Sequence, residues 1–348
     1  MNKKAKVFVG VSGGVDSSVS LAILKDAGYD VVGCFIKTWQ PDFIECTWKE
    51  ERRDAMRVCA QLNVPFLTID AEKQYRDEVG MYMINEYKAG RTPNPDVMCN
   101  KEIKFGVFLR YALDHGADYV ATGHYARTEK GNLLKGKDES KDQSYFLWTL
   151  KKDQLEKILF TVGEFQKSEV RKLAEKYNLP TAKKKDSQGV CFLGPIDMKD
   201  FLSHYIETKK GDVLDIDGNI IGTHDGALFY TLGERHGFNI NKKGTEDTRL
   251  YVVSRDLEKN TITVSPDIKK SKEEKKIINL SEVNWIVTPE KNKKYKSRIR
   301  YQQKLQDCFV EDNKIIFENA QNTASVGQSA VVYDGDVCIG GGIIDNTL

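Results

Sequence analysis

The chain has 348 residues, more than a single hydrophobic core usually organises, so two or three domains are expected. Its 53 Lys and Arg against 51 Asp and Glu give a formal net charge of only +2, which excludes a globally basic nucleic-acid binder and makes any such surface local. No apolar run approaches the roughly 20 residues of a membrane span, and Met1-Asn-Lys-Lys-Ala-Lys6 leads into the first strand without an apolar signal region. Seven Cys without a Cys-x-x-Cys pair exclude a zinc knuckle and a secreted disulfide framework, so a cytoplasmic protein is expected, with no membrane partner and no metal-ligand set.

The first predicted element is an apolar strand beginning at Val7, which runs into the polar turn Ser12-Gly-Gly14 and then a helical run over Ser17–Ala27. That order turns free backbone N–H groups and a helix N-terminus toward an anion, so it reads as a nucleotide phosphate site. The loop lacks the Lys of Gly-x-x-x-x-Gly-Lys-Ser/Thr, which sets a point charge on the β- and γ-phosphates, so ATP held here would be cut elsewhere. Strand and helix patterns then alternate: Val31–Ile36 strand, Trp48–Leu62 helix, Phe66–Ile69 strand, Glu72–Tyr87 helix, Lys101–His115 helix and Tyr119–Thr122 strand. Such alternation predicts an α/β domain with a doubly wound parallel sheet, whose ligands bind at the carboxyl ends of the strands. Ser12–Ser17, Lys37–Trp39 and Gly123–Arg127 all follow strands in this way.

Thr92-Pro-Asn-Pro-Asp-Val-Met-Cys-Asn100 reads as a Pro-stiffened, exposed loop that sets Cys99 just before a helix, where a thiol pKa falls. Asp96, three residues away, is placed for proton transfer. Cys191 lies on a similar polar approach, Asp186-Ser-Gln-Gly-Val-Cys-Phe-Leu-Gly194, whereas Cys34, Cys46, Cys59, Cys308 and Cys338 read as small core residues. Lys183-Lys-Lys185 is either a phosphate contact or a solvated face, and Lys291–Lys296 is more readily the latter.

Beyond about residue 200, the short β-rich runs Gly211–Ile216, Leu228–Tyr230 and Leu250–Ser254 predict a small, mostly-β central domain. The charged run Lys269–Lys276 reads as a linker or solvated helix face. After it, Trp285–Val287, Lys296–Tyr301, Lys314–Phe317 and Ala330–Tyr333, closing on Cys338–Gly342, predict a C-terminal β-barrel. The expected divisions are 1–200, 201–274 and 275–348.

Ser12-Gly-Gly-Val-Asp-Ser17 resembles the pyrophosphate-binding loop of the ATP pyrophosphatases. Together with Asn94-Pro-Asp-Val-Met-Cys-Asn100, Gly123-His-Tyr-Ala-Arg127, Lys141-Asp-Gln-Ser-Tyr-Phe146, Asp186–Phe192, Arg300-Tyr-Gln302 and Gly327-Gln-Ser-Ala330, it gives nearly the whole chain a resemblance to the tRNA-specific 2-thiouridylase family. The resemblance implies an N-terminal domain like the adenine nucleotide alpha hydrolases. It also implies a reaction in which ATP adenylates the C2 oxygen of a tRNA wobble uridine and an enzyme persulfide then expels AMP. Adenylation is needed because the C2 carbonyl is a poor electrophile and its oxygen a poor leaving group.

Carried over by motif, Gly10, Val11, Ser12, Gly13, Gly14, Val15, Asp16, Ser17, Ile36 and Gly123 would contact ATP. Cys99 would be the nucleophile, Cys191 the persulfide carrier, Asp96 the proton-transfer group, and a transient Cys99–Cys191 disulfide would form. Asn94, Pro95 and Asp96 would meet the target base, while His124, Lys141, Asp142, Gln143, Arg300, Tyr301 and Gln328 would contact tRNA. Mg²⁺ is expected to bridge ATP oxygens, with Asp16 only a candidate ligand, and a cysteine desulfurase or sulfur-relay protein would donate the persulfide. The two cysteines stand so far apart in sequence that a loop is expected to close over the substrate to join them. An amide-forming ATP pyrophosphatase would share the phosphate loop but not the paired cysteines. Two segments, Arg235–Lys243 and Thr245–Arg249, depart from the family pattern, and no role is carried to them.

Overall fold

A computed structural model of the chain describes residues 4–45, 47–186, 189–241, 249–267, 276–321 and 324–347. Cys46, Ser187 and Gln188, residues 242–248 of the two atypical segments, and most of the charged run 269–276 lie outside the described residues.

Seven strands belong to the first part of the chain: β1 (Lys6–Gly10), β2 (Asp30–Lys37), β3 (Phe66–Asp70), β4 (Tyr119–Thr122), β5 (Ala126–Glu129), β6 (Asn132–Lys135) and β7 (Ile158–Phe160). Five of them form a parallel sheet in the order β3-β2-β1-β4-β7. Six consecutive residues of β2 are buried, as expected of a strand covered on both faces, and this is why its run Val31–Ile36 is continuously apolar. Helices α1 (Val15–Asp26) and α2 (Trp48–Gln61) follow β1 and β2. The strand order reverses between β1 and β4, so the crevice at their carboxyl ends is the topological switch point where such sheets take ligands.

The central part carries β8 (Gly211–Leu214), β9 (Ile220–His224), β10 (Asn239–Ile240), β11 (Tyr251–Asp256) and β12 (Thr261–Ser265), in the order β10-β9-β8-β12-β11. Leu228–Tyr230 is not a strand: Ala227–Phe229 forms a 3₁₀ turn, because Gly226 at φ 144 turns the chain and Asn260 Oδ1 accepts from the Ala227 amide at 2.9 Å. The last part contains β13 (Ile277–Trp285), β14 (Tyr295–Arg298), β15 (Gln306–Glu311), β16 (Lys314–Phe317), β17 (Ser329–Asp334) and β18 (Val337–Thr347). These six run antiparallel in the order β13-β16-β15-β14-β17-β18, and β18 pairs back onto β13, so the barrel is closed. Trp285 therefore ends the first barrel strand rather than beginning it.

The hairpin β5–β6, turned at Lys130-Gly131 with both φ positive, was not legible as strands. It joins the barrel sheet instead of the parallel one, through Leu133 opposite Cys338 and Leu134 opposite Val337. Behind that junction Arg298 (8% exposed) donates to the carboxylate of Asp142 (3% exposed), which also accepts from the Gly136 and Ser144 amides. Removing one partner strands a buried charge, so Arg298→Met should cost about 3–5 kcal/mol in denaturant unfolding, with Asp142→Asn less severe. Among the described residues, no helix is long and apolar enough to cross a membrane.

Candidate active site

The phosphate loop follows β1 into the crevice. Gly13 has φ 77, and a Cβ there would lie 2.4 Å from the Glu51 carbonyl oxygen. Gly14 caps α1 without a side chain, and Ser18 Oγ donates to its carbonyl at 2.6 Å, while Ser12 N donates to Ser17 Oγ at 3.2 Å. The first-turn amides of α1 have no acceptor within the helix and point their partial positive charge into the crevice. Gly123, just beyond β4, closes against them: a Cβ would stand 2.5 Å from the Ser17 nitrogen. The side chains of Val11, Val15 and Ile36 are buried in the core.

Asp16 does not face the crevice as a free carboxylate. Lys167 Nζ donates to both its oxygens, at 2.7 and 2.9 Å, and the Tyr125 hydroxyl donates at 2.8 Å. Lys167 also reaches Asp186 at 2.9 Å, and Asp186 pairs with Lys141 at 3.0 Å and with Arg171. Burial works against the Asp186 charge, yet the Lys167 and Lys141 hydrogen bonds hold its carboxyl down at about 2. The described residues contain no cluster of three His, Cys, Asp or Glu fit to hold a metal. Asp16 thus does not fit a resident Mg²⁺, and such an ion would have to be carried on the nucleotide's own oxygens.

Cys99 is not on an exposed loop. Asn94 caps a helix by accepting from the Val97 amide at 3.3 Å, and Pro95 occupies the first helical position, so the helix begins six residues before Lys101. Pro95–Met98, Cys99–Val107 and Phe108–Asp114 follow one another as a single helix whose middle stretch is π-helical. Cys99 sits in its second turn with no exposed surface, and burial pushes its thiol well above the usual range. The helix-terminus activation expected of it is therefore absent.

Its sulfur lies 3.3 Å from that of Cys191 and donates to it, although 92 positions separate the two. No loop closure is needed for the pair to meet, because the Cys191 segment is already folded in. Gly189 at φ 94 and Gly194 at φ 75 make a tight turn closed by the Val190–Gly194 bridge, and Phe192 is held at φ 64. Tyr75 OH donates to the Cys191 carbonyl at 2.6 Å, Gln40 Nε2 to the Phe192 carbonyl at 3.1 Å, and the Cys191 amide to Asp96 Oδ1 at 2.9 Å. A β-carbon on Gly189 would fall 2.0 Å from the Gly194 oxygen. Gly189→Ala should therefore open the turn and cut the yield of diamide-driven Cys99–Cys191 disulfide about tenfold or more, read by non-reducing peptide mapping.

The hydrogen bond from Cys99 holds the Cys191 thiol below the usual range; burial opposes this and Lys104 assists it. Burial also raises the Asp96 carboxyl. Lys104 Nζ stands 3.3 Å from His124 Nε2, and His124 is the neighbour of Gly123, so phosphate loop and thiols occupy one crevice. Sequence reading missed Lys104, Tyr75, Gln40 and Lys167. Lys104 follows Cys99 by five residues, a spacing that diverges on an α-helix but stacks where bonding is i→i+5.

Of the residues expected at tRNA, Asp96 accepts from the Cys191 amide and His124 meets Lys104, whereas Asn94 and Pro95 start the cysteine helix. Several are braced internally. His124 is 7% exposed, and its Nδ1 lies 2.7 Å from Thr122 Oγ1. Asp142 is spent on Arg298, Gln143 Oε1 accepts from the Tyr125 amide at 2.9 Å, and Gln328 Nε2 donates to the Thr92 and Pro93 carbonyls at 3.1 and 2.9 Å. Arg300 donates to the Leu232 carbonyl, and Tyr301 is half-buried with its ring 4.4 Å from that of Phe146. Lys184 is paired with Asp54 at 2.8 Å. Burial first of all pushes Cys34, Cys59, Cys308 and Cys338 up to about 12, in keeping with their reading as core residues.

Residues 5–195 match the family described as tRNA methyl transferase HUP domain, 199–266 the tRNA methyl transferase PRC-barrel domain, and 275–344 the Aminomethyltransferase beta-barrel domain. The chain is similar along its length to proteins named tRNA-specific 2-thiouridylase. That of Halalkalibacterium halodurans is 44% identical over 99% of this chain and 96% of its own, and that of Streptococcus mutans 45% over 99% and 96%. That of Bacillus subtilis is 43% identical over 98% of this chain and 95% of its own.

Proposed function

The chain belongs to the tRNA-specific 2-thiouridylase family, sulfurtransferases that act on tRNA uridine, and from that premise we propose how its own residues carry the reaction. The observation that carries the proposal is the Cys99–Cys191 sulfur pair, 3.3 Å apart in the same crevice as a phosphate loop without a lysine. Methyl transfer, the wording of two of the matched family descriptions, has no use for two adjacent thiols; sulfur transfer can use one to carry the sulfur and the other to release it.

Cys191 accepts sulfur first. Its thiolate attacks the terminal sulfur of a donor persulfide R–S–SH, the donor S–S bond breaks, R–S⁻ leaves, and Cys191–S–SH remains. The donor is a cysteine desulfurase or a sulfur-relay protein. The C2 oxygen of the wobble uridine, its loop already single-stranded and cheap to unstack, attacks the ATP α-phosphate while Asp96 takes the N3 proton. Pyrophosphate departs toward the α1 amides and the Gly13–Gly14 turn. Any Mg²⁺ would be held by the oxygens of ATP rather than by Asp16, and would supply neutralisation of phosphate charge. The terminal sulfur then displaces AMP at C2: either it attacks while still on Cys191, and the Cys99 thiolate next attacks the Cys191 sulfur and breaks its bond to the transferred sulfur, or Cys99 makes that attack first and releases the sulfur as sulfide. Either route forms a Cys99–Cys191 disulfide, and two electrons from a reductant reopen it.

Asn94 and Pro95 border the base. Lys141, Arg300, Tyr301 and Gln328 lie toward the tRNA side, whose phosphate contacts give salt-dependent affinity. The catalytic unit is 1–200, the central tRNA-contacting unit 201–274 and the barrel unit 275–348. The test is to incubate the chain with ATP, tRNA and labelled persulfide, and to digest the tRNA to nucleosides. Label in 2-thiouridine with matching AMP is the expected result, and AMP without labelled nucleoside overturns the reading.

A further inference from the structure

The proposed chemistry needs one of two touching thiols to take sulfur and the other to stay in reserve, and the spacing of the cysteines does not say which. Resting on the thiolation reading above, we infer that Lys104, fixed by His124, is the residue that makes Cys191 rather than Cys99 the sulfur-accepting thiolate.

The geometry runs through a chain of contacts in which each proton has one position. An ammonium group only donates, so His124 Nε2, 3.3 Å from Lys104 Nζ, must accept. Its Nδ1 then carries the ring proton and donates to Thr122 Oγ1 at 2.7 Å. Burial first, and Lys104 beside it, hold the imidazole neutral. The Lys104 ammonium is thus anchored on one side by a neutral acceptor, lies at 5.7 Å over the ring of Phe192, next in sequence to Cys191, and its charge favours the Cys191 thiolate. Cys99 donates its S–H to that sulfur. Cys191 therefore accepts from Cys99 and feels the Lys104 charge, while Cys99 is itself a donor buried in the helix.

Among the described residues, the other charged group that acts on both thiols is an acid, Asp96. Asp96 is turned to the Cys191 amide, and the Tyr75 hydroxyl to the Cys191 carbonyl. Lys104 is the positive charge that interacts with both sulfurs. Burial works against its own charge, but Cys191, Cys99 and Asp96 more than offset that, and it stays an ammonium. Where sulfur is accepted, the electron pair comes from Cys191, the donor persulfide bond breaks, and the Cys99 proton stays where it is.

The test uses the reduced full chain without ATP or tRNA, alkylated with iodoacetamide between pH 5 and 10, with the Cys191 and Cys99 peptides quantified separately. In the wild type, Cys191 should react with a midpoint below that of an ordinary thiol and well below that of Cys99. Lys104→Gln should move the Cys191 midpoint up and slow its alkylation at pH 7 about tenfold or more, and Lys104→Arg should restore most of the rate. A merely structural lysine would alter the amount of folded protein, not this midpoint. An unshifted Lys104→Gln profile overturns the inference. Should that variant fail to fold, a wild-type Cys191 midpoint at or above that of Cys99 overturns it equally. The same wild-type preparation is then given ATP, tRNA and a persulfide donor. 2-Thiouridine formed alongside an unshifted profile overturns the Lys104 assignment alone, whereas the shifted profile without 2-thiouridine overturns the thiolation reading alone.

Discussion

Replacing Cys191 with Ala should abolish 2-thiouridine while leaving the adenylation of tRNA intact, and replacing Cys99 with Ala should abolish 2-thiouridine as well. The expected loss of thiolation is at least about a thousandfold in either variant, since a group that forms a covalent intermediate has no substitute among its neighbours. The two steps separate because their parts do. The phosphate loop, the first turn of α1 and Gly123 make no contact through the Cys191 side chain, so AMP-forming chemistry on tRNA should survive in Cys191→Ala. Cys191 is half-buried in a loop held by backbone partners, the Tyr75 hydroxyl on its carbonyl and Asp96 on its amide, and both remain when the sulfur is removed. Cys99 is packed in the helix, and its loss also leaves a small cavity. The measurement is paired: AMP release by chromatography, and nucleosides by mass spectrometry. Loss of both activities together in Cys191→Ala would contradict the division of labour.

Gly123→Ala should reduce ATP-dependent AMP formation about a hundredfold, the order expected when a binding group is displaced by about 1 Å. The new methyl would meet the Ser17 nitrogen at 2.5 Å, the Asp16 carbonyl carbon at 2.7 Å and the Ser17 Cα at 2.9 Å. All three are backbone atoms of the helix start that presents its amides to phosphate, so no side chain can swing aside and α1 itself must shift. Overpacking of this kind also costs about 1–3 kcal/mol of stability. Gly10→Ala provides the contrast, because its methyl would meet nothing nearer than the Phe108 ring at 3.4 Å. Equilibrium binding of ATP to the two variants separates displaced amides from general unfolding, and similar affinities would refute the close-approach account.

Much of the parallel sheet was legible because strands buried on both faces are continuously apolar, as in Val31–Ile36, and because a Gly-Gly turn between strand and helix has few other uses. The cysteine helix was misjudged through its prolines. Asn94-Pro95 is a cap followed by a first-turn proline, yet a second proline at 93 makes the same letters look like a stiffened loop. Lys104 could not be read at all, since the i→i+5 bonding that turns it toward Cys99 is set by packing and leaves no periodic mark. The ion pairs of Asp16 and Asp186 were equally hidden, for Lys167 is one lysine among many until the fold brings it between them. The hairpin Ala126–Lys135 was obscured because its partner strand lies some two hundred residues away.

That last pairing bears on how the molecule is made. Leu133 and Leu134 offer an open strand edge long before Val337 and Cys338 leave the ribosome, so a half-synthesised polypeptide carries an unsatisfied template for misassembly through most of its elongation. Chaperone demand should peak in that interval, and premature release anywhere before β18 should yield a product that proteases clear quickly.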